Sequence, residues 1–131
     1  MVPNRGVSNT TMNETYATVE PGRAEIDALD GLAMIEFGNA WCGHCRAAQP
    51  LIAAALNSHP GVRHIKIADG PGRRLGRSFR VKLWPTLIFL EGGKEMRRLV
   101  RPADSNAIAE ALAEIDTASR LKRINELPFA P

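Results

Sequence analysis

The pattern of apolar and polar positions divides this chain into short strands and amphipathic helices. Residues 32–37 form an apolar run of strand length that is interrupted only by Glu36. Such a run predicts a strand buried on both faces, as in parallel sheets. Residues 42–57 predict a helix, because apolar residues recur at the spacing of one buried face. They are Ala48, Leu51, Ile52, Ala55 and Leu56. The pattern continues beyond Pro50, so we expect this proline to kink the helix without ending it.

The same reasoning places the other elements. Strands are predicted at residues 16–19, 62–68, 86–90 and 95–100. Helices are predicted at residues 23–30, at residues 73–79, and from Asp104 or Ser105 onward. The glycine pair at residues 92–93 is a hairpin signal between the last two strands. The resulting order, β-α-β-α-β-α-β-β-α, predicts an α/β domain with parallel pairing, helices on both faces and an antiparallel hairpin at one edge.

Length and composition fit one globular domain. The chain has 131 residues, of which 44% are hydrophobic and 24% charged, enough to bury a core without disulfide staples. Residues 1–15 are polar and show no periodicity, so we predict a flexible N-terminal tail. No stretch approaches the length of a membrane span, and the N-terminus lacks the pattern of a secretory signal. We therefore expect no membrane association.

The two cysteines are the chemically distinctive residues. Cys42 and Cys45 are three residues apart at the predicted strand-to-helix junction, a spacing that places both on one helix face. Unpaired amides and the helix dipole favour an anion at a helix start, so Cys42 should ionise readily. We predict that Cys42 is the more exposed, attacking sulfur in thiol–disulfide exchange and that Cys45 resolves the mixed disulfide. His44 is expected to favour the thiolate through positive charge or hydrogen bonds.

A metal site is the alternative use of this cysteine spacing. A closed zinc site needs four ligands, and zinc proteins use the same Cys-x-x-Cys motif. Only His44, His59 and His64 are available to join the two cysteines, and no second such motif exists. We therefore predict that the chain holds no metal.

A cluster of basic residues follows the third predicted strand. Its members are Arg73, Arg74, Arg77, Arg80 and Lys82. Such a cluster attracts an acidic partner or nucleic acid, or it is simply a solvated helix face. No interleaved aromatic residues or nucleic-acid motif accompany it, so we favour the solvated face and predict no nucleic-acid partner.

Motifs at three places resemble the thioredoxin family. The W-C-G-H-C segment at residues 41–45 is similar to the family's active-site motif, with the Gly-His centre typical of protein disulfide isomerase domains. Pro50 lies where the family has its helix-kinking proline, and W-P-T at residues 84–86 resembles its cis-proline motif. The resemblance covers about residues 16–118 and leaves residues 119–131 as a C-terminal extension. It implies a thioredoxin fold, with a central mixed sheet and helices on both faces.

The resemblance also implies roles for residues outside the cysteine pair. Glu36 lies inside an apolar strand, where an unpaired carboxylate is costly to bury. The family carries an acid at this place, and the resemblance implies that Glu36 shuttles the proton of Cys45 through water. The alternative is a carboxylate that reaches solvent at the strand end.

Four residues form the predicted substrate-binding set. They are Trp41, Gly43, Trp84 and Pro85. The resemblance implies a cis bond before Pro85, which would leave the backbone of Trp84 open to pair with an extended substrate. For both tryptophans, core packing is the alternative, because tryptophan buries a large area in either role.

Three positions depart from the family's pattern. Gly38 stands where thioredoxins usually have tryptophan. Ile65 lies where a lysine usually pairs with the buried acid, although Lys66 or His64 would be able to compensate. The segment at residues 101–102, Arg-Pro, replaces a loop that usually contains glycine. These departures concern partner choice and reductase recognition.

The expected function is that of a thiol–disulfide oxidoreductase, which reduces or exchanges disulfides in protein substrates. The resemblance implies electron transport in redox homeostasis, no bound cofactor, and recharging by an external reductase such as thioredoxin reductase. Two cysteines in one motif, without other bridges, favour a reducing cytoplasm. We expect a monomer. The alternative is a non-catalytic thioredoxin-fold module for protein binding or redox sensing.

Overall fold

The computed structural model describes residues 15–126, in which four strands form one sheet between two layers of helices. The strands are β1 (Leu32–Gly38), β2 (Arg63–Ala68), β3 (Thr86–Glu91) and β4 (Lys94–Val100). The helices are α1 (Arg23–Asp27), α2 (Gly43–Leu56), α3 (Arg74–Ser78) and α4 (Ser105–Asn125). The predicted tail at residues 1–15, apart from Thr15, and residues 127–131 lie outside the described part.

The sheet has the order β2-β1-β3-β4, so β1 lies inside it. Strands β1 and β2 are parallel, whereas β1–β3 and β3–β4 are antiparallel. The predicted mixed sheet is therefore confirmed, but parallel pairing is limited to one pair. The reason is the connection between β2 and β3, which brings β3 back in the opposite direction on the far side of β1.

Alternation along β1 separates two apolar cores. Met34 faces α2 and α4, where it packs with Ile52, Leu87 and Leu112. The odd-numbered residues of β1 point to the opposite core, which α1 and α3 cover. They are Ala33, Ile35 and Phe37. Because side chains alternate with a period of two, Glu36 lies on the same face as Met34 and points toward α2. The predicted burial of both faces of this strand is confirmed.

Helices α2 and α4 begin at capping residues. Cys42 is the N-cap of α2, and the helix continues through Pro50 to Leu56, as the periodicity predicts. Asp104 caps α4 by accepting a hydrogen bond from the Ala107 amide at 3.0 Å. Within the described residues, no helix has the length and apolarity needed to cross a membrane.

Two predicted elements are shorter than the sequence indicates by more than two residues, and the last helix runs beyond residue 118. The predicted strand at residues 16–19 is only a single bridge, in which the Ala17 amide donates to the Lys66 carbonyl at 2.8 Å. The chain then leaves the sheet, because the Glu20 carboxylate accepts hydrogen bonds from the first amides of α3. Helix α1 ends at Asp27, and α4 continues past residue 118 with Ser119 still buried.

Candidate active site

The cysteine pair lies where β1 gives way to α2. Cys42 has extended backbone angles (φ −84°, ψ 122°), and its sulfur accepts a hydrogen bond from the Cys45 amide at 3.3 Å. This is the position of an N-cap side chain, so the sulfur faces the unpaired amides of the helix start. Both cysteines are free thiols; Cys42 is 8% exposed and Cys45 1%. The outer sulfur is therefore Cys42, as predicted, although it is only slightly exposed.

The two thiols differ in acidity. Burial raises the pKa of Cys42, but a hydrogen bond from Cys45, the amides of Cys45 and His44, and the charge of Arg101 more than offset burial. The net pKa of Cys42 is below that of an ordinary thiol. Burial, together with the hydrogen bond and charge of Cys42, raises the pKa of Cys45 to about 11. Cys42 is consequently the first to become a thiolate, the reactive form of the sulfur.

This difference predicts the pH dependence of alkylation. The rate for Cys42 should rise with pH and reach its midpoint below that of a cysteine in an unstructured peptide, because its thiolate is stabilised. In chains whose Cys42 is still unmodified, Cys45 should stay unlabelled until the pH approaches about 11, so singly labelled chains should carry the label on Cys42. Iodoacetamide labelling followed by peptide mass spectrometry separates the two profiles. Coincident profiles with the midpoint of an ordinary thiol would contradict this assignment.

Glu36 is fully buried behind the pair, so the alternative of a solvent-reaching carboxylate is wrong. Its Oε2 accepts a hydrogen bond from Gln49 Nε2 at 2.8 Å, and its Oε1 lies 2.9 Å from His64 Nε2. Lys66 also belongs to the cluster, since its Nζ donates to Gln49 Oε1 at 2.8 Å. Ile65 stands where the family usually has a lysine beside the buried acid, and His64 and Lys66 supply polar groups to the Glu36 cluster in its place.

Tyr16 connects Glu36 to the buried sulfur. Its one hydroxyl proton serves one acceptor at a time: Glu36 Oε2, which lies 3.3 Å away, or the sulfur of Cys45 when this is a thiolate. Burial, Glu36 and Cys45 all raise the pKa of this tyrosine, so the hydroxyl stays protonated. Gly38 makes room for the arrangement, because a Cβ there would lie 2.5 Å from Cys45 Sγ and 3.0 Å from the Tyr16 hydroxyl.

Sequence reasoning missed Tyr16 and Gln49 as members of the site. Gln49 carried a usable signal: it is a polar residue one helical turn after Cys45, next to an apolar face. Tyr16 had a weaker one, since Gly38 leaves space where the family usually has a tryptophan. Nothing local in the sequence indicates that the chain's single tyrosine occupies this space.

Of the predicted substrate-binding residues, Trp41 and Gly43 flank Cys42 in the chain, and Trp84 of the Trp84–Pro85 pair contacts Trp41. The Trp84–Pro85 bond is cis, as the resemblance implied. Trp41 is 69% exposed and meets the Trp84 ring edge-on at 5.5 Å between centroids, so core packing is wrong for Trp41. Trp84 is half-buried and donates from Nε1 to Asp69 Oδ2 at 2.9 Å. Gly43 is exposed beside the pair.

Arg101 occupies part of the Trp84 backbone, which the resemblance left open to an extended substrate. Its Nε donates to the Trp84 carbonyl at 2.7 Å, and its amide donates to the Pro85 carbonyl at 2.9 Å. His44, Pro85 and Arg101 line a groove of about 360 Å³ on this side of the cis-proline. His44 acts on Cys42 through its backbone amide. Between residues 15 and 126, no three side chains of His, Cys, Asp or Glu gather as metal ligands.

A Cys-x-x-Cys pair with unequal acidities, placed at a helix start next to a tryptophan that contacts the cis-proline loop, defines a thiol–disulfide exchange site on a thioredoxin fold. The family model described as thioredoxin matches residues 16–114. The chain belongs to the thioredoxin family.

Known proteins with similar sequence and structure carry the same family name. The chain is 30% identical over 84 residues to a thioredoxin of Chlamydia trachomatis, covering 64% of this chain and 82% of that protein. It is 28% identical over 101 residues to thioredoxin 2 of Chlorobaculum tepidum, covering 75% and 91%. The structure of reduced thioredoxin 2 from Pseudomonas aeruginosa PAO1 superposes with a TM-score of 0.72 at 51% identity, covering 79% and 96%.

Family membership establishes the general activity. The chain is a thiol–disulfide oxidoreductase, and a non-catalytic module is not favoured. Members of this family act on disulfide substrates, work without a bound cofactor and are recharged by a reductase. The relatives described above are named thioredoxins, so the isomerase-type interpretation of the Gly-His centre stays a prediction.

Proposed function

We propose that this chain reduces disulfide bonds in protein substrates, with Cys42 as the nucleophile and Cys45 as the resolving thiol. The observation that carries this proposal is the N-cap position of Cys42, whose sulfur accepts a hydrogen bond from the Cys45 amide at 3.3 Å, while Cys45 is almost fully buried. The Cys42 thiolate attacks one substrate sulfur, the substrate disulfide breaks, and a mixed disulfide forms while one substrate thiolate leaves. Cys45 then attacks Cys42 Sγ and releases the second substrate thiolate. The substrate gains two electrons, and the chain ends as a Cys42–Cys45 disulfide.

The order of the two steps follows from the coupling between the thiols. The hydrogen bond and charge of Cys42 both raise the pKa of Cys45 in the reduced protein. When Cys42 is held in a mixed disulfide, its sulfur carries no charge, so these contributions disappear. Cys45 therefore ionises more easily at the moment when it must attack.

Glu36 is the proposed acceptor for the proton that Cys45 loses. The Tyr16 hydroxyl contacts both groups, which gives a path from the sulfur to the carboxylate. A cavity of about 380 Å³ adjoins this path and is lined by Tyr16, Cys45, Gln49 and Lys66 among others. It offers space for water between the buried site and solvent.

Removing the Tyr16 hydroxyl tests this path. The hydrogen bond from Tyr16 lowers the pKa of Cys45, so we expect Tyr16→Phe to slow release of the mixed disulfide near neutral pH by about three- to tenfold, a loss of roughly 1 kcal/mol. The first step depends on Cys42 and should keep its rate. Single-turnover kinetics with a fluorescent disulfide peptide resolve the two steps. Equal slowing of both steps, or of neither, would contradict a role in resolution.

The substrate is proposed to lie across Trp41, Gly43, Trp84 and Pro85. Trp41 is exposed beside the attacking sulfur, and the half-buried Trp84 continues the aromatic surface. His44 is proposed to stabilise the Cys42 thiolate through its backbone amide and through positive charge. We also propose that the chain acts as a monomer.

We propose that an external reductase such as thioredoxin reductase recharges the chain in the cytoplasm, within electron transport for redox homeostasis. The single redox pair without other bridges supports a reducing compartment. No bound cofactor is needed, because the electrons reside on the two sulfurs.

Insulin reduction tests the proposed function. We expect the reduced chain to accelerate insulin precipitation with dithiothreitol as electron donor, and also with NADPH and thioredoxin reductase. If the chain is active with dithiothreitol but inactive with NADPH and thioredoxin reductase, only the proposed reductase is overturned. Absence of catalysis with both donors would overturn the proposed reaction.

A further inference from the structure

A strongly basic groove adjoins the proposed substrate surface at Trp84. Its volume is about 510 Å³, and Trp84 forms part of its wall. Four cationic side chains line it: Arg73, Arg77, Arg80 and Lys82. Asp69 is the single carboxylate in the lining, and it already accepts the Trp84 indole hydrogen bond.

The groove cations are left without counter-ions. In the described part of the chain, Arg77, Arg80 and Lys82 form no salt bridge and are exposed. Elsewhere in the described residues, Arg23, Arg97, Arg98 and Arg120 pair with carboxylates, whereas Arg46, Arg63, Arg101 and Arg123 form no salt bridge, so it is the clustering of the groove cations that sets them apart. Like charges held together repel one another, so an unpaired cluster favours an anionic ligand.

The backbone conformation of Arg80 is a second observation in favour of a ligand site. Arg80 has a φ of 59°, in the left-handed region where glycine is unstrained and other residues cost about 1 kcal/mol. Across the described residues, the other non-glycine residue with positive φ is Arg101, whose charge acts on Cys42. Strained cationic residues therefore lie on both sides of the Trp84–Pro85 loop.

We propose that the basic groove binds an acidic segment of the substrate protein next to its disulfide. This inference rests on the proposed function and names its preferred substrates: protein disulfides flanked by several Asp or Glu residues. The aromatic surface of Trp41 and Trp84 connects Cys42 to the groove, so a chain attached to the attacked sulfur can continue into it.

The test compares two disulfide peptides that differ only in one flank, which carries four glutamates or four glutamines. At low ionic strength, the acidic peptide should have a kcat/KM about three- to tenfold higher, because several exposed charge pairs each contribute modestly. Arg77→Gln/Lys82→Gln should remove most of this preference and leave kcat/KM for the neutral peptide within about twofold. Salt at about 0.5 M should suppress the preference in the unmodified chain.

A matched control removes one arginine and one lysine at the other end of the sheet. Arg63 and Lys94 are exposed at the starts of β2 and β4, remote from the cysteines. Arg63→Gln/Lys94→Gln should keep the preference. If both double variants lose it equally, net charge and not the groove is responsible, and the proposal is overturned.

Other results would also overturn the proposal. Equal kcat/KM for the two peptides in the unmodified chain would do so while leaving the proposed function intact. Turnover of neither peptide would instead refute the proposed function. If the groove variant loses binding to a single-stranded oligonucleotide, and no peptide preference exists, the groove serves nucleic acid.

Discussion

Replacing Cys42 by serine is expected to abolish disulfide reduction, with a loss on the order of a thousandfold or more in the insulin assay. A serine hydroxyl does not ionise near neutral pH and forms no bond with a substrate sulfur. The fold should survive, because serine is a favourable N-cap and can accept the Cys45 amide that now binds the sulfur. Circular dichroism and urea unfolding should show this directly, so the loss would be chemical.

Cys45→Ser is the matched variant for that experiment. It keeps the Cys42 thiol, so attack should proceed and the mixed disulfide should accumulate as a stable adduct that mass spectrometry detects. Full insulin reduction by Cys42→Ser would refute Cys42 as the nucleophile. Failure of Cys45→Ser to trap any adduct would refute the assigned order of the two sulfurs.

Gly38→Ala is expected to reduce the free energy of unfolding by about 1–3 kcal/mol. The added Cβ would lie 2.5 Å from Cys45 Sγ and 3.0 Å from the Tyr16 hydroxyl, closer than packed atoms approach. The buried neighbours must then move, and this disturbs the contacts of Tyr16 with Cys45. Urea unfolding of the reduced protein measures the effect.

Two comparisons make this prediction specific. A Cβ at Gly61 meets nothing within 4 Å, so Gly61→Ala should leave stability unchanged or raise it slightly. Adding Gly38→Ala to Cys45→Ala should cost less than adding it to the unmodified chain, because the obstructing sulfur is absent. Equal costs for Gly38→Ala and Gly61→Ala would show that close packing at Gly38 is unimportant.

Much of the fold follows from local sequence patterns. The apolar run of β1, interrupted only by Glu36, identified a strand buried on both faces, and the spacing of apolar residues identified α2 despite Pro50. Both signals are spacings of apolar residues within one short segment, so they are visible without knowing which other segment covers them. The first predicted strand failed for the opposite reason: Glu20 is drawn away to cap α3, a contact between residues more than fifty positions apart.

The sequence by itself determined where the redox chemistry of this protein lies. The spacing of Cys42 and Cys45, and their place before a helix, are properties of a few consecutive residues, so no tertiary information was needed. The tertiary structure alone decided what surrounds them. Tyr16 and Gln49 meet Glu36, and the basic groove adjoins Trp84, because the sheet register and the helix packing bring distant segments together. A shift of one residue in β1 would turn Glu36 to the opposite face, and local patterns do not encode such pairings across the sheet.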